Sequence, residues 1–288
     1  MKLLITGSNG FIGNYFINNY KSKYNIETFS FLKDDINNLN CGDIDVVFHL
    51  SALVHQMGGA SASEYEKINV IQTIELAKKA KESGIKHFVF MSTVKVYGEE
   101  TDSKYSENSE NSICNPEDEY GKSKLKAELE LQKLEDEDFK VSIIRTPIVY
   151  GYGVKANIKS LINLVNKVPL LPFGKIKNKR SMVYIGNLCH LVDEIITQEK
   201  QGIFLACDDE PLSTSKLIEL ISKNLNKKIY LIKIPFFESL LKILKPSFHK
   251  RLYGSLEVDN NITKEKLNLI NPYSVENGVR LMIKGEKN

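Results

Sequence analysis

Short apolar runs and helix-period segments alternate along the first half of the chain. The runs Leu3–Thr6, Ile26–Phe31, Val46–Leu50, Phe88–Met91 and Val141–Ile144 are each bounded by polar or turn residues, the mark of strands buried on both faces. Between them Phe11, Tyr15 and Phe16 recur at helical spacing. Two longer segments, Glu64–Ser83 closed by Gly84 and Glu119–Leu134 rich in Lys, Glu, Leu and Ala, predict helices. Such alternation predicts an α/β fold, a doubly wound parallel sheet with a smaller α/β C-terminal region. The polar stretch before Val46 is too short for a full crossover, so one helix is expected to be trimmed. After about Gly151 the elements shorten and prolines appear at 169, 172, 211, 235, 246 and 272. Residues 1–155 are therefore expected to form one domain, with 186–206 returning to its sheet through the apolar run Gly202–Ala206. Residues 156–185 and 207–288 are expected to form a second.

Composition narrows the class. The chain has 288 residues, 42% hydrophobic and 26% charged, enough for a sizeable core. Its 39 Lys and Arg nearly balance 36 Asp and Glu, which gives no field suited to nucleic acid. Cys41, Cys114, Cys189 and Cys207 lie far apart without metal-type pairing, so free thiols and no metal are expected. Met1 runs directly into the first apolar run, and no stretch reaches the ~18 apolar residues of a membrane span. A cytoplasmic location is expected.

The turn Gly7-Ser8-Asn9-Gly10-Phe11-Ile12-Gly13 follows the first predicted strand and opens the first helix. Glycines there let backbone approach a pyrophosphate, and the helix N-terminus offers unpaired N–H groups. The spacing is G-x-x-G-x-x-G rather than G-x-G-x-x-G, but its place between strand and helix predicts a dinucleotide site in a Rossmann fold. Gly7, Asn9, Gly10, Phe11, Ile12 and Gly13 are the candidate contacts. Most NAD sites carry an acid at the end of the second strand, which here reads Thr28-Phe29-Ser30-Phe31-Leu32-Lys33. Ser30 and Lys33 suit a 2′-phosphate, so NADP(H) is favoured. NAD(H) stays open because Asp34 and Asp35 follow at once, and a solvated loop lysine is the plain alternative.

Tyr120-Gly121-Lys122-Ser123-Lys124 puts a phenol and an ammonium four residues apart on one helix face. A free tyrosine titrates near ~10, so an adjacent cation is needed to bring proton transfer into range. Upstream, the run Phe88–Met91 delivers Ser92 and Thr93 to a C-terminal strand end, where parallel sheets hold ligands. The pattern Y-x-x-x-K is common on exposed helices. Following the glycine turn, with Thr93 at a strand end, it predicts an acid/base centre of Thr93, Tyr120 and Lys124.

Gly7–Gly13, His49-Leu50-Ser51-Ala52, the run Ser92–Glu99, Tyr120–Lys124 and Arg145-Thr146-Pro147-Ile148-Val149-Tyr150-Gly151 together resemble the extended short-chain dehydrogenases/reductases of the epimerase/dehydratase type. The likeness covers nearly the whole chain. It implies an enzyme acting on a nucleotide-diphosphate sugar, UDP-linked, with Thr93 at the sugar 4-oxygen, Tyr120 as acid/base and Lys124 also holding the nicotinamide ribose. Leu50, Ser51, Ala52, Asn69, Ser92, Thr146 and Ile148 would line the cofactor. It further implies a homodimer packed through the helices of Glu64–Ser83 and Glu119–Leu134.

At the substrate end, Lys175, Lys177, Lys179 and Arg180 form a basic cluster, by default a solvated loop. The flanking segments resemble the family's nucleotide-diphosphate cradle, which implies Arg180 and Asn157 as diphosphate contacts with Arg251 as a second arginine. His55, Lys95 and Phe173 are further candidates facing the substrate. Residues 227–251 carry seven Lys or Arg against Glu238 alone, interleaved with Phe and Leu. A lid or core helix of the substrate domain is expected there, and contact with an anionic membrane is the alternative.

Family members that dehydrate or decarboxylate the sugar carry acids directly after the residue matching Thr93, and here Val94 and Lys95 follow it. Dehydration is disfavoured unless an acid such as Glu99 reaches in. The expected reaction is reduction of a UDP-4-keto-6-deoxy-N-acetylhexosamine to a UDP-N-acetylquinovosamine-type product for surface polysaccharide. Alternatives are a UDP-sugar 4-epimerase, acting on UDP-glucose or UDP-N-acetylglucosamine with tightly held NAD, and a non-catalytic NAD(P) sensor.

Overall fold

In the computed structural model, residues 1–54, 60–101 and 108–285 are described. The first half runs β1 (Lys2–Thr6), α1 (Phe11–Tyr20), β2 (Asn25–Phe29), β3 (Val46–His49), α2 (Ala62–Tyr65), α3 (Gln72–Glu82), β4 (His87–Thr93), α4 (Glu119–Gln132) and β5 (Lys140–Thr146). After it come β6 (Ile148–Tyr150), α5 (Ala156–Lys167), β7 (Leu170–Leu171), β8 (Met182–Tyr184), α6 (Ile185–Thr197) and β9 (Gly202–Leu205). The chain closes with α7 (Thr214–Asn224), β10 (Tyr230–Leu231), α8 (Phe237–Leu244), α9 (Pro246–Tyr253), α10 (Asn261–Leu267) and α11 (Val275–Lys284).

Six parallel strands form the central sheet in the order β2-β1-β3-β4-β5-β9. Alternation along each strand feeds two cores, because successive side chains leave opposite faces. Leu3, Ile5, Val46, Phe48, Val89 and Met91 pack on one side, with residues of α6, α7 and α11. Leu4, Val47, Phe88 and Phe90 pack on the other, with Leu76, Ala77 and Ala80 of α3 and Ala127 and Leu131 of α4. The doubly wound parallel sheet expected from the sequence is therefore present. Gly202–Leu205 pairs with β5 at the sheet edge, and the connection between β2 and β3 holds one short 3₁₀ turn, Ile36–Asn38.

Three elements differ from expectation. The second strand ends at Phe29, two residues early, because Ser30 opens a turn. Its carbonyl accepts from Lys33 and Asp34 N–H at 2.8 Å each, and its own N–H donates to the Asp34 carboxylate at 2.8 Å. The helix predicted over 64–83 starts at a capping box on Ser61 and widens into a π turn at Glu66–Ile71 before α3. That bulge coincides with Asn69, which is wholly buried. Finally, of the lid or core helix expected within 227–251, the core form is not seen, since α8 and α9 bury no residue.

Candidate active site

The β1–α1 turn is built for close approach. Gly7 has φ +69°, and a Cβ on it would lie 2.8 Å from Ser51 N and 2.9 Å from Leu50 C. A Cβ on Gly13 would lie 2.6 Å from Gly7 O and 2.8 Å from Ser8 Cα, so the helix packs against its own entry turn only as glycine. At the N-terminus of α1, Gly10 provides no side-chain cap and the first turn holds no acid. The donor end of the helix is left for an anion. It opens on a groove of about 500 Å³ bordered by Gly7–Gly13, Ser30–Leu32, Leu50–Ala52, Met91–Thr93, Tyr120, Lys124, Thr146, Pro147 and Val149. A glycine cradle, an uncapped helix end and an elongated groove leading to Tyr120 fit a dinucleotide.

Four expected cofactor contacts are placed differently. Lys33 is exposed and does not border the groove, and the Asp34 carboxylate sits on Ser30 instead. Asn69 is spent on structure, accepting from Leu53 N at 2.8 Å and donating to Leu53 O and Ser123 Oγ at 3.0 Å each. Ser92 borders the groove, but its hydroxyl donates inward to Glu128. Ile148 borders a neighbouring second cleft rather than this groove. Thr146 borders both, its hydroxyl held by Ser92 O at 3.1 Å.

Thr93, Tyr120 and Lys124 all border the groove, and Thr93 and Tyr120 also border the second cleft, of about 690 Å³. Asp118 caps α4 by accepting from Gly121 N–H at 2.7 Å, which puts Tyr120 in the first turn and Lys124 one turn deeper. Lys124 is 2% exposed, with its Nζ 4.1 Å from the Phe90 ring centroid. Burial pulls its ammonium down to about 7, partly countered by Glu128. Burial pushes the Tyr120 phenol above its ordinary range, and Asp118 and Tyr65 push the same way. Burial thus disfavours the charged form of both side chains, raising the phenol and lowering the ammonium.

Asn157, Arg180 and Arg251 border the second cleft together with Glu117, Pro246, Ser247 and Lys250. Arg180 is oriented by Nη1 bonds to Gly254 O at 3.1 Å and Lys250 O at 3.4 Å. Lys95 borders the cleft, but its ammonium is clamped between Glu99 at 2.5 Å and Asp118 at 2.6 Å. It neutralises these acids rather than standing free for substrate. Phe173 is a buried residue of an adjoining apolar cavity of about 360 Å³, stacked at a tilt on Phe237, and does not reach this cleft. His55 lies outside the described residues. All four cysteines are free.

Sequence reasoning missed Glu128 and His49. Glu128 stands two turns beyond Tyr120 on the face of Lys124, a spacing visible in the helix pattern, and binds Ser92 and Arg145. His49 is 1% exposed and bridges Thr6 Oγ1 at 2.7 Å and Thr73 Oγ1 at 2.9 Å. Thr73 donates to Asn69 O, so His49 donates from Nε2 and accepts at Nδ1 from Thr6, which in turn accepts from Leu50 and Ser51 N–H. Burial, with help from Lys124, holds its pKa down to about 3. Below pH 6.5 the unfolded chain takes up this proton and the folded one does not, so stability is expected to fall as pH drops from 6.5 towards 3. Urea titrations across that window check this: His49→Gln should flatten the slope relative to the parent.

Thr93 and Tyr120 join the groove to the second cleft, and comparison with known proteins shows the family. The model of the NAD dependent epimerase/dehydratase family matches residues 3–207. UDP-glucose 4-epimerase of Vibrio cholerae is 36% identical over a 308-residue alignment covering 96% of this chain and 93% of that protein. Two solved structures share the fold over 98% or more of each chain. UDP-glucuronic acid 4-epimerase from Bacillus cereus in complex with NAD covers 99% of this chain and 98% of its own, with TM-score 0.76 and 20% identity. A dTDP-4-dehydrorhamnose reductase from Clostridium acetobutylicum covers 98% of both, with TM-score 0.80 and 22% identity. The chain belongs to the NAD dependent epimerase/dehydratase family and is an enzyme of the extended short-chain dehydrogenase/reductase type.

Proposed function

We propose that this enzyme is a UDP-sugar 4-epimerase that keeps its nicotinamide dinucleotide through the cycle. The observation that carries the reading is the position of Thr93 and Tyr120, which border both the dinucleotide groove and the sugar-side cleft. The nearly full-length likeness to a protein named for UDP-glucose 4-epimerisation supports it over the 4-reductase expected from the sequence. Asp34 on Ser30 supports NAD(H) over NADP(H), since a carboxylate there opposes a 2′-phosphate. NAD is also the cofactor named with the Bacillus cereus structure. Dehydration is opposed by Lys95, which neutralises Glu99 and Asp118, two acids that border the cleft with Thr93.

Tyr120 takes the proton of the sugar 4-hydroxyl and later returns it to the same oxygen, while Thr93 donates a hydrogen bond to that oxygen. The dinucleotide supplies hydride removal and return at carbon 4, and a cationic ring when oxidised. Lys124 as a cation favours the phenolate, and Arg180 and Arg251 hold the diphosphate while the sugar turns over between two orientations. In this reading residues 1–155 and 186–206 hold the cofactor and 156–185 and 207–288 the nucleotide sugar. We extend it to a cytoplasmic homodimer packed through the outer faces of α3 and α4.

The test is direct. Purified enzyme given UDP-glucose or UDP-N-acetylglucosamine should form the 4-epimer with no net change in nicotinamide absorbance. Stoichiometric loss of the reduced cofactor with a UDP-4-keto-6-deoxyhexosamine would instead mean a reductase, and absence of turnover on all of these would favour a dinucleotide sensor.

A further inference from the structure

We infer that the outer face of α8 and the start of α9 docks on an anionic lipid bilayer. Phe236, Leu240, Ile243 and Leu244 stand at i, i+4, i+7 and i+8, the spacing of an apolar stripe that normally seats a helix on a core. Here the stripe faces solvent: Phe236 is 86% exposed, Leu240 54%, Ile243 78% and Leu244 68%, and Phe248 follows at 43%. An adjoining face already anchors the helix, with the Phe237 ring 6.4 Å from that of Phe173. Turning the outer face inward is therefore not required for folding. A contiguous apolar surface of this kind calls for a partner.

Charge selects the partner. Lys233 and Lys245 bracket the stripe along the chain and Lys242 lies within it, and a polar cleft of about 380 Å³ is bordered by Lys175, Lys177 and Lys233 with Glu238. Glu238, the one acid between residues 227 and 251, lies 3.5 Å from His249. A second copy of the chain packed on this face by two-fold symmetry would set one lysine-rich surface against another, which is unfavourable. An anionic membrane accepts both features, burying the apolar stripe at headgroup depth and pairing the lysines with lipid phosphates. Because Pro246, Ser247, Lys250 and Arg251 border the sugar-side cleft, docking holds the mouth of that cleft against the bilayer surface. The inference does not depend on which sugar reaction the enzyme performs.

The chain contains no tryptophan, so Ile243→Trp places a single reporter on the stripe. Its emission should shift to the blue on addition of phosphatidylcholine vesicles with about 30% phosphatidylglycerol, and not with phosphatidylcholine alone. The parent chain should co-sediment with the same anionic vesicles. The triple variant Leu240→Ser, Ile243→Ser, Leu244→Ser should bind them at least about tenfold more weakly with an unchanged melting temperature. Failure of the parent to bind anionic vesicles at ~0.1 M salt overturns the inference. So does a blue shift that appears without lipid and grows with protein concentration, which would make the partner a second copy.

Discussion

Tyr120→Phe is expected to lower kcat by about 10²- to 10⁴-fold, the range for loss of a positioned acid/base, while the melting temperature stays within about 2 °C of the parent. Among the described residues the Tyr120 hydroxyl has no hydrogen-bond partner, so its removal breaks nothing the fold uses. The ring keeps its tilted contact with Tyr65 at 6.3 Å. KM should change little, because the hydroxyl acts on the transferring proton and not on the diphosphate. The check is steady-state turnover of a UDP-hexose beside a thermal melt. A variant that retains more than about a tenth of the parent turnover removes Tyr120 from the chemistry.

The largest stability effect is expected at Glu128. Its carboxylate accepts from Arg145 Nη2 at 2.6 Å and Nε at 3.1 Å and from the Ser92 hydroxyl, and the two charged side chains are 1% and 5% exposed. Arg145 also donates to Tyr97 Oη at 2.8 Å. Glu128→Ala leaves a buried guanidinium without its counter-charge, at a cost of about 3–5 kcal/mol. Arg145→Met should cost a similar amount by orphaning the carboxylate. The double variant Glu128→Leu, Arg145→Met should recover much of the loss, since the desolvation of both charges disappears together. Urea unfolding of the four proteins tests this, and single variants within about 1 kcal/mol of the parent would contradict it. The pair also tethers Ser92 beside Thr93, so it carries the position of the reactive strand end as well as its stability.

The parallel sheet, the glycine turn at the first helix and the phenol–ammonium pair were legible along the chain because each is a local pattern. Strand runs buried on both faces need no partner to be recognised, and Gly10 and Gly13 answer to the backbone of their own turn, whereas Gly7 also meets Leu50 and Ser51. Tyr120 and Lys124 share a helix face by spacing alone. The corrections fall where a side chain's neighbour lies far away in sequence. Lys95, expected at the substrate, is held instead by Asp118, 23 residues on. Asn69 is consumed by Leu53 and Ser123, and His49 by Thr6 and Thr73, through bonds that span 16 to 54 residues.

By itself, then, the sequence determined the layer architecture, the glycine-lined helix end and the pairing of Tyr120 with Lys124 on one helix face, all consequences of periodicities of two and 3.6 residues and of glycine's missing Cβ. Only the tertiary structure decided which polar groups remain free for a ligand, the sign of the pKa shifts at Lys124 and Tyr120, and the outward turn of the apolar stripe on α8. These depend on burial and on partners brought together across the fold, and desolvation and hydrogen bonding act on distance in space without regard to distance along the chain.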